Sequence, residues 1–98
     1  MRLSQEEQSN IKNLAKKIFG ETSKVILFGS RVFDNKKGGD IDLLIENDER
    51  NKLTLINKIH FLIELKNKIG EQKIDIVLNY GSKKSIIKTA NNTGIQLY

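Results

Sequence analysis

The sequence contains no cysteine, no proline and no tryptophan, and only one histidine among its 98 residues. Without cysteine, disulfide bonds and thiolate metal sites are excluded, and nothing points to an oxidising compartment. His60 has no second histidine or cysteine at ligand spacing, so we do not expect it to bind a metal. The apolar runs are far shorter than the roughly 20 residues that span a bilayer, and the first ten residues lack an apolar signal core. We therefore expect a cytoplasmic protein that does not enter a membrane.

The composition is that of a folding chain with a small core. Hydrophobic residues make up 38% and charged residues 30%, which is typical of a globular domain rather than a disordered segment. A chain of this length favours one domain over residues 1–98, in which each buried polar residue needs a physical reason.

The net charge of +5 is unevenly distributed along the chain. Residues 1–50 hold 9 basic and 9 acidic residues, whereas residues 51–98 hold 8 basic and 3 acidic residues. Such an excess suits a nucleotide phosphate, a nucleic acid or an acidic partner protein. Because no RNA- or DNA-reading motif is visible, we do not expect direct nucleic-acid binding.

Two segments have the periodicity of helices. Ser4 and Glu7 fit a capping box ahead of an amphipathic stretch, which predicts a helix over residues 4–19. Residues 51–70 contain no proline and predict a long helix that ends at Gly70. The apolar side chains of this second helix cover an arc of roughly 200 degrees, wider than one contact with a sheet needs. Its outer side either meets a partner protein or lies against the rest of the same chain.

Short apolar runs between these helices predict a sheet. Three of them read as strands, and the end of the chain reads as a short helix followed by an edge strand or tail. The predicted ranges are 24–28, 40–46 and 73–79 for the strands, 82–92 for the helix and 95–98 for the edge strand or tail. This order predicts an α+β fold, close to α/β, with a small mixed β-sheet flanked by helices.

Acidic residues interrupt two of the predicted strands. Alternation places Asp40 and Asp42 on one face of the second strand, and Asp75 lies on the polar face of the third. If these strands are neighbours, the three carboxylates converge, and their repulsion is costly unless a cation offsets it. Oxygen-rich clusters suit Mg²⁺, and paired Mg²⁺ ions support nucleotidyl transfer. The alternative is that Asp40 is a turn residue, Asp42 faces solvent and Asp75 occupies an exposed alternating position.

Gly29 and Ser30 directly follow the first strand, where a chain entering a helical turn exposes backbone N–H groups. Glycine allows a phosphate to approach the backbone, the Ser30 hydroxyl adds a hydrogen-bond donor, and Arg31 suits triphosphate oxygens. We interpret these three residues as candidate nucleotide-binding residues. The alternatives are a plain turn, a helix N-cap and a solvated arginine.

Together, Gly29-Ser30, nine intervening residues, Asp40-Ile41-Asp42 and the later Asp75 resemble the signature of the DNA polymerase β-like nucleotidyltransferase superfamily. The short length is similar to that of its minimal nucleotidyltransferase members, and the similarity in layout spans nearly the whole chain. The resemblance implies that Gly29 and Ser30 hold the nucleotide phosphates. It also implies that Asp40 and Asp42 bind both Mg²⁺ ions and that Asp75 completes the site beside the acceptor hydroxyl.

The resemblance also implies a reaction and a partner. An acceptor hydroxyl would attack the α-phosphate of ATP, with loss of pyrophosphate. Minimal members are commonly paired with a HEPN-domain ribonuclease toxin, which they neutralise by transferring AMP to one of its tyrosines. We therefore predict a Mg²⁺-dependent nucleotidyltransferase that acts as an antitoxin. Two alternatives remain: an antitoxin that acts by protein binding alone, and a nucleotidyltransferase with a small-molecule acceptor.

The loop between Ser30 and Asp40 departs from the family pattern. It is one residue shorter than in many relatives, and Phe33 and Asp34 stand where a more basic turn is usual. Lys36 and Lys37 either replace the missing positive charge or are solvated loop residues.

Overall fold

The computed structural model describes residues 3–32, 39–47, 49–79 and 94–98. Within these ranges the chain forms two α-helices, four strands and two short 3-10 turns. In chain order they are α1 (Gln5–Phe19), β1 (Lys24–Phe28), a 3-10 turn (Gly29–Val32), β2 (Ile41–Glu46), a second 3-10 turn (Arg50–Lys52), α2 (Leu55–Ile69), β3 (Ile74–Asn79) and β4 (Ile95–Gln96). The helix predicted at 82–92 lies outside the described residues, as do Phe33, Asp34, Lys36 and Lys37.

Helix α1 begins at the predicted capping box. The Glu7 N–H donates to the Ser4 hydroxyl oxygen at 3.0 Å, and the Ser4 N–H donates to the Glu7 carboxylate at 2.9 Å. These two bonds satisfy backbone donors that the first turn of a helix leaves without partners. The prediction for the start of this helix is confirmed.

Helix α2 begins later than the sequence predicted. The predicted start at residue 51 is wrong, because Thr54 has extended backbone and caps the helix by accepting the Asn57 N–H at 3.1 Å. Residues Arg50–Lys52 instead form a separate 3-10 turn. The predicted end is confirmed, since the Gly70 N–H donates to the Lys66 carbonyl at 2.9 Å. Neither described helix is long and apolar enough to cross a membrane.

The four strands form one mixed sheet in the order β3-β2-β1-β4. Strand β1 pairs antiparallel with β2 on one side and with the short β4 on the other. Strands β2 and β3 are parallel neighbours, and α2 is the crossover that parallel pairing requires. The predicted mixed sheet flanked by helices is confirmed, and the sheet order, which the sequence left open, places β2 in the interior.

Both helices pack on the same face of this sheet. Phe19 of α1 and Phe61 of α2 are fully buried against each other, with ring centroids 5.4 Å apart. Because strand side chains alternate, the opposite face carries a second small cluster. The helix-side core includes Ile11, Leu14, Val25, Leu27, Leu43, Ile45, Leu65, Ile74 and Ile76, whereas the opposite face includes Ile26, Phe28 and Leu44.

Asn47 is a polar residue whose side chain is buried in this small domain. Its Nδ2 donates to the Phe19 carbonyl at 2.8 Å, while its Oδ1 accepts from the Thr22 hydroxyl at 3.2 Å and from the Glu49 N–H at 2.8 Å. A buried amide is tolerated when its donors and acceptors are satisfied. Asn47 thereby ties the end of α1 to the chain that follows β2.

The outer side of α2 exposes four large apolar side chains to solvent. We call them the α2 stripe: Leu55 (66% exposed), Ile56 (67%), Ile59 (45%) and Ile63 (55%). The wide apolar arc predicted from the sequence therefore consists of a buried side and an exposed side. One side enters the core through Phe61 and Leu65, and no other part of the chain that the structure describes covers the α2 stripe.

The contrast between these two sides of α2 predicts very different costs of truncation. Phe61→Ala should lower the free energy of unfolding by about 3–5 kcal/mol, because it leaves a cavity in the core. In a domain of this size that is a fall in melting temperature of at least about 12 °C. Ile63→Ala on the exposed side should change the free energy of unfolding by only about 0.5 kcal/mol. Thermal unfolding of both variants is the measurement, and similar losses would contradict this division of the helix.

Candidate functional site

Three carboxylates meet at one edge of the sheet. Asp42 of β2 lies directly opposite Asp75 of β3 in the parallel register, and Asp40 precedes β2 by one residue. One oxygen from each of the three carboxylates lies within 4.8 Å of the others. Asp40 and Asp42 are half-buried and Asp75 is exposed. The two strands are neighbours, which is the condition on which convergence of the carboxylates depended. We call these three residues the acidic triad.

Burial and like charge act together on Asp42, the central member of the triad. Burial, reinforced by the negative charges of Asp75 and Asp40, raises the pKa of Asp42 from 3.8 to about 6. The Lys73 ammonium acts in the opposite direction and only partly offsets this rise in pKa. The metal-free site therefore holds an electrostatic repulsion that a bound cation would relieve.

Gly29 lies directly against the Asp42 carboxylate. Phe28 pairs with Asp42 across the β1–β2 ladder, so the next residue of the chain reaches the same edge. Gly29 has φ of +78°, and a Cβ at this position would overlap Oδ2 of Asp42 and lie 3.2 Å from its Cγ. Only glycine fits this conformation and this space. The sequence suggested that the glycine makes room for a phosphate, whereas in the structure it makes room for Asp42.

The turn after β1 brings the remaining predicted residues to the same edge. The backbone of Ser30 and Arg31 lies in the 3-10 turn Gly29–Val32, directly after β1. The helical turn predicted after the first strand is thus present, and its first residue touches the acidic triad.

Lys73 is a site residue that the sequence reasoning missed. Its Nζ lies 3.4 Å from Oδ2 of Asp40, and its carbonyl accepts the Ile41 N–H at 3.0 Å. The backbone bond aligns the residue before β3 with the start of β2. A usable signal was present, because the predicted strand 73–79 already places Lys73, two positions before Asp75, on the same strand face.

The donor set fits a hard divalent cation. All three groups supply carboxylate oxygens, which Mg²⁺ prefers, and their separation suits one ion or a pair of ions bridged by shared carboxylates. Within the described ranges, no other group of three or more acidic, histidine or cysteine side chains converges in this way.

A separate cleft of about 540 Å³ lies between the two helices, on the other side of the sheet from the triad. It is lined by Lys17, Ile18, Asn57, His60, Ile63 and Glu64. A salt bridge of 3.1 Å between Lys17 and Glu64 crosses it. We assign no chemistry to this cleft.

The fold agrees with what comparison with known proteins finds. The chain belongs to the nucleotidyltransferase domain family, whose model matches residues 9–96. This membership confirms the predicted minimal nucleotidyltransferase of the polymerase β-like superfamily. Nucleotidyl transfer is the activity for which this family is named.

A solved structure shows the same fold. The chain is similar to a chain in the crystal structure of an MntA–HpeT toxin–antitoxin complex, a mutant with two aspartates replaced by glutamate. The TM-score is 0.74 at 16% sequence identity, and the match covers 93% of this chain and 71% of that chain. The predicted α+β fold is thereby confirmed. No curated protein sequence matches the chain.

The raised pKa of Asp42 predicts a specific pH dependence of stability in the absence of metal. Because the folded state holds this proton more tightly than the unfolded state, the free energy of unfolding should fall as the pH rises from about 4 through 6. The free energy of unfolding of Asp42→Asn should not show this fall, because the amide does not ionise. The variant should melt roughly 2–5 °C above wild type at pH 7.5, a shift that reflects about 1 kcal/mol or less.

Melting curves in the presence of a chelator, measured between pH 4 and 8, test this expectation. The two proteins should converge near pH 4, where the wild-type carboxyl is largely protonated. Glu21→Gln is the control, since Glu21 is exposed and lies before β1, away from the triad. If the melting temperatures of wild type and Asp42→Asn differ by the same amount at every pH, ionisation of Asp42 does not destabilise the folded state and the expectation is wrong.

Proposed function

We propose that this protein is a Mg²⁺-dependent nucleotidyltransferase that acts as a cytoplasmic antitoxin by transferring AMP from ATP to a tyrosine of a HEPN-type ribonuclease toxin. The observation that carries the proposal is the acidic triad, three carboxylates within 4.8 Å in a chain of the nucleotidyltransferase domain family. The toxin–antitoxin complex that contains the structural neighbour supports the choice of partner.

In this proposal Asp40, Asp42 and Asp75 hold the metal. Their oxygen donors and their mutual repulsion both favour a divalent cation at this edge. When bound, Mg²⁺ would supply positive charge that neutralises the phosphates and stabilises the departing pyrophosphate.

The other proposed roles follow from position. Gly29, Ser30 and Arg31 bind the nucleotide phosphates, because their turn reaches the edge where Asp42 lies. Asp75 is the exposed member of the triad and faces an incoming acceptor. As the tyrosine oxygen bonds to the α-phosphorus of ATP and the bond to pyrophosphate breaks, Asp75 takes the hydroxyl proton.

Transfer of AMP gives the direct test of this proposal. Incubation of the purified chain with ATP, Mg²⁺ and the proposed HEPN-type partner toxin should add the mass of one AMP, or a small number of them, to a tyrosine of that toxin. Asp42→Asn and Asp40→Asn should each reduce the initial rate by at least about a hundredfold, since each removes a metal ligand. Intact-mass and peptide mass spectrometry are the measurements.

Glu21→Gln serves as the matched control, because it also removes one carboxylate but lies away from the triad. It should transfer AMP at the wild-type rate. A partner that stays unmodified with wild-type protein, under conditions where the two proteins form a complex, would exclude AMP transfer as the mechanism.

A second candidate function is neutralisation of the toxin by binding alone, and the α2 stripe favours it. Four apolar side chains that are 45–67% exposed on one side of a helix form the kind of patch that protein interfaces cover. This candidate needs no chemistry at the acidic triad. The two functions therefore depend on different residues and can be separated.

Protection of cells that express the toxin distinguishes the two candidates. If the protein acts by binding alone, Ile59→Asp in the α2 stripe should abolish protection by placing a charge in an apolar interface, while Asp42→Asn should protect as well as wild type. If it acts by transfer, Asp42→Asn should lose protection. Lys58→Gln, one position away on α2, is the control for Ile59→Asp and should retain protection.

A further inference from the structure

We propose that Lys73 binds the triphosphate of the incoming nucleotide, and that Asp40 holds its ammonium at the acidic triad until metal and nucleotide arrive. This inference rests on the proposed function. It assigns a ligand contact to a residue outside the signature Gly-Ser and Asp-x-Asp positions, and it explains why a cation is placed beside the triad.

The position of Lys73 is set by the backbone, not by the salt bridge. The carbonyl of Lys73 accepts the Ile41 N–H at 3.0 Å, and the parallel register continues from there to the pair Asp42 and Asp75. Lys73 is two residues before Asp75 in the chain, and its side chain reaches the triad at Asp40. A change at the Lys73 side chain therefore leaves the backbone contacts that align β2 with β3.

The salt bridge itself contributes little to folding. Nζ of Lys73 and Oδ2 of Asp40 are 3.4 Å apart, with the two side chains 73% and 36% exposed. Solvated pairs of this kind contribute little measurable stability. The pair matters more for ligands, since it places one positive charge against three carboxylates that would otherwise repel a nucleotide triphosphate.

The geometry also places Lys73 within reach of a bound phosphate. A phosphate held by a cation bound to Asp40 would lie beside Asp40, and Nζ of Lys73 already lies 3.4 Å from Oδ2 of that residue. The flexible, exposed lysine stem can transfer its three donors from Asp40 to the phosphate without movement of the backbone.

These two roles predict opposite effects of one substitution. In Lys73→Met, Asp40 loses its intramolecular counter-ion, so a divalent cation alone should bind about two- to fivefold tighter. The same variant lacks the phosphate contact, so a Mg²⁺ complex of a non-hydrolysable ATP analogue should bind about five- to tenfold more weakly. A lysine that only stabilised the fold would not produce this pair of opposite shifts.

Isothermal titration calorimetry with Mn²⁺ alone, and then with the Mg²⁺–ATP analogue, measures both affinities on the full chain. Lys73→Arg should keep the analogue affinity within about twofold of wild type, because it retains the charge and the donors. Lys24→Met is the matched control, since Lys24 starts β1 and pairs with Glu46 at the opposite end of the β1–β2 ladder from the site. It should match wild type in both titrations. Melting temperatures within about 2 °C of wild type confirm that the variants are folded.

The possible failures are distinguishable. If wild type binds the analogue and Lys73→Met binds it equally well, the inference about Lys73 is overturned while the proposed function stands. If wild type does not bind the analogue at all, the proposed function is overturned and the Lys73 inference with it. Weaker binding of both Mn²⁺ and the analogue by folded Lys73→Met would also overturn the inference, because it would mean that Lys73 supports the metal site instead of competing with it.

Discussion

The parallel register between β2 and β3 is the constraint on which the site depends. It sets Asp42 opposite Asp75 and brings the chain before β3 alongside Asp40. A slip of one residue would turn Asp75 toward the helices and Ile76 toward the acidic edge. The buried apolar residues on the helix side prevent that slip. The hydrophobic core thus determines which carboxylates meet, although none of its side chains belongs to the site.

This arrangement explains how a chain of 98 residues tolerates a repulsive cluster. The repulsion is concentrated at one end of β2, where Asp42 is only half-buried and Asp75 is open to solvent. The helix-side core, including the Phe19–Phe61 contact, lies on the other face of the sheet, away from the three carboxylates. Gly29 leaves the space that the Asp42 carboxylate occupies, and Lys73 supplies one opposing charge. The fold therefore keeps the site ready for a cation without depending on one.

The sheet also separates two surfaces with different physical character. The acidic triad shares a sheet face with the Leu44 cluster, whereas the α2 stripe lies on the outer side of a helix that covers the opposite face. The proposed chemistry at the acidic triad and the proposed protein binding at the α2 stripe can therefore be altered independently. A protein that modifies a partner benefits from this separation, because the residues that hold the partner need not surround the residues that react with it.

The sequence by itself determined the elements whose signals are local. The capping box at Ser4, the strand runs, the stop at Gly70 and the three aspartates all followed from patterns within a few residues, and the structure has each of them. The later start of α2 at Leu55 also has a local cause, the Thr54 cap, which the prediction overlooked. Tertiary structure decided the remainder: the contact of Gly29 with Asp42 and the approach of Lys73 to Asp40. Side-chain alternation depends on neighbours in the chain. Which strand lies beside which, and in what register, depends on burying a common core, and so do all contacts between residues distant in sequence.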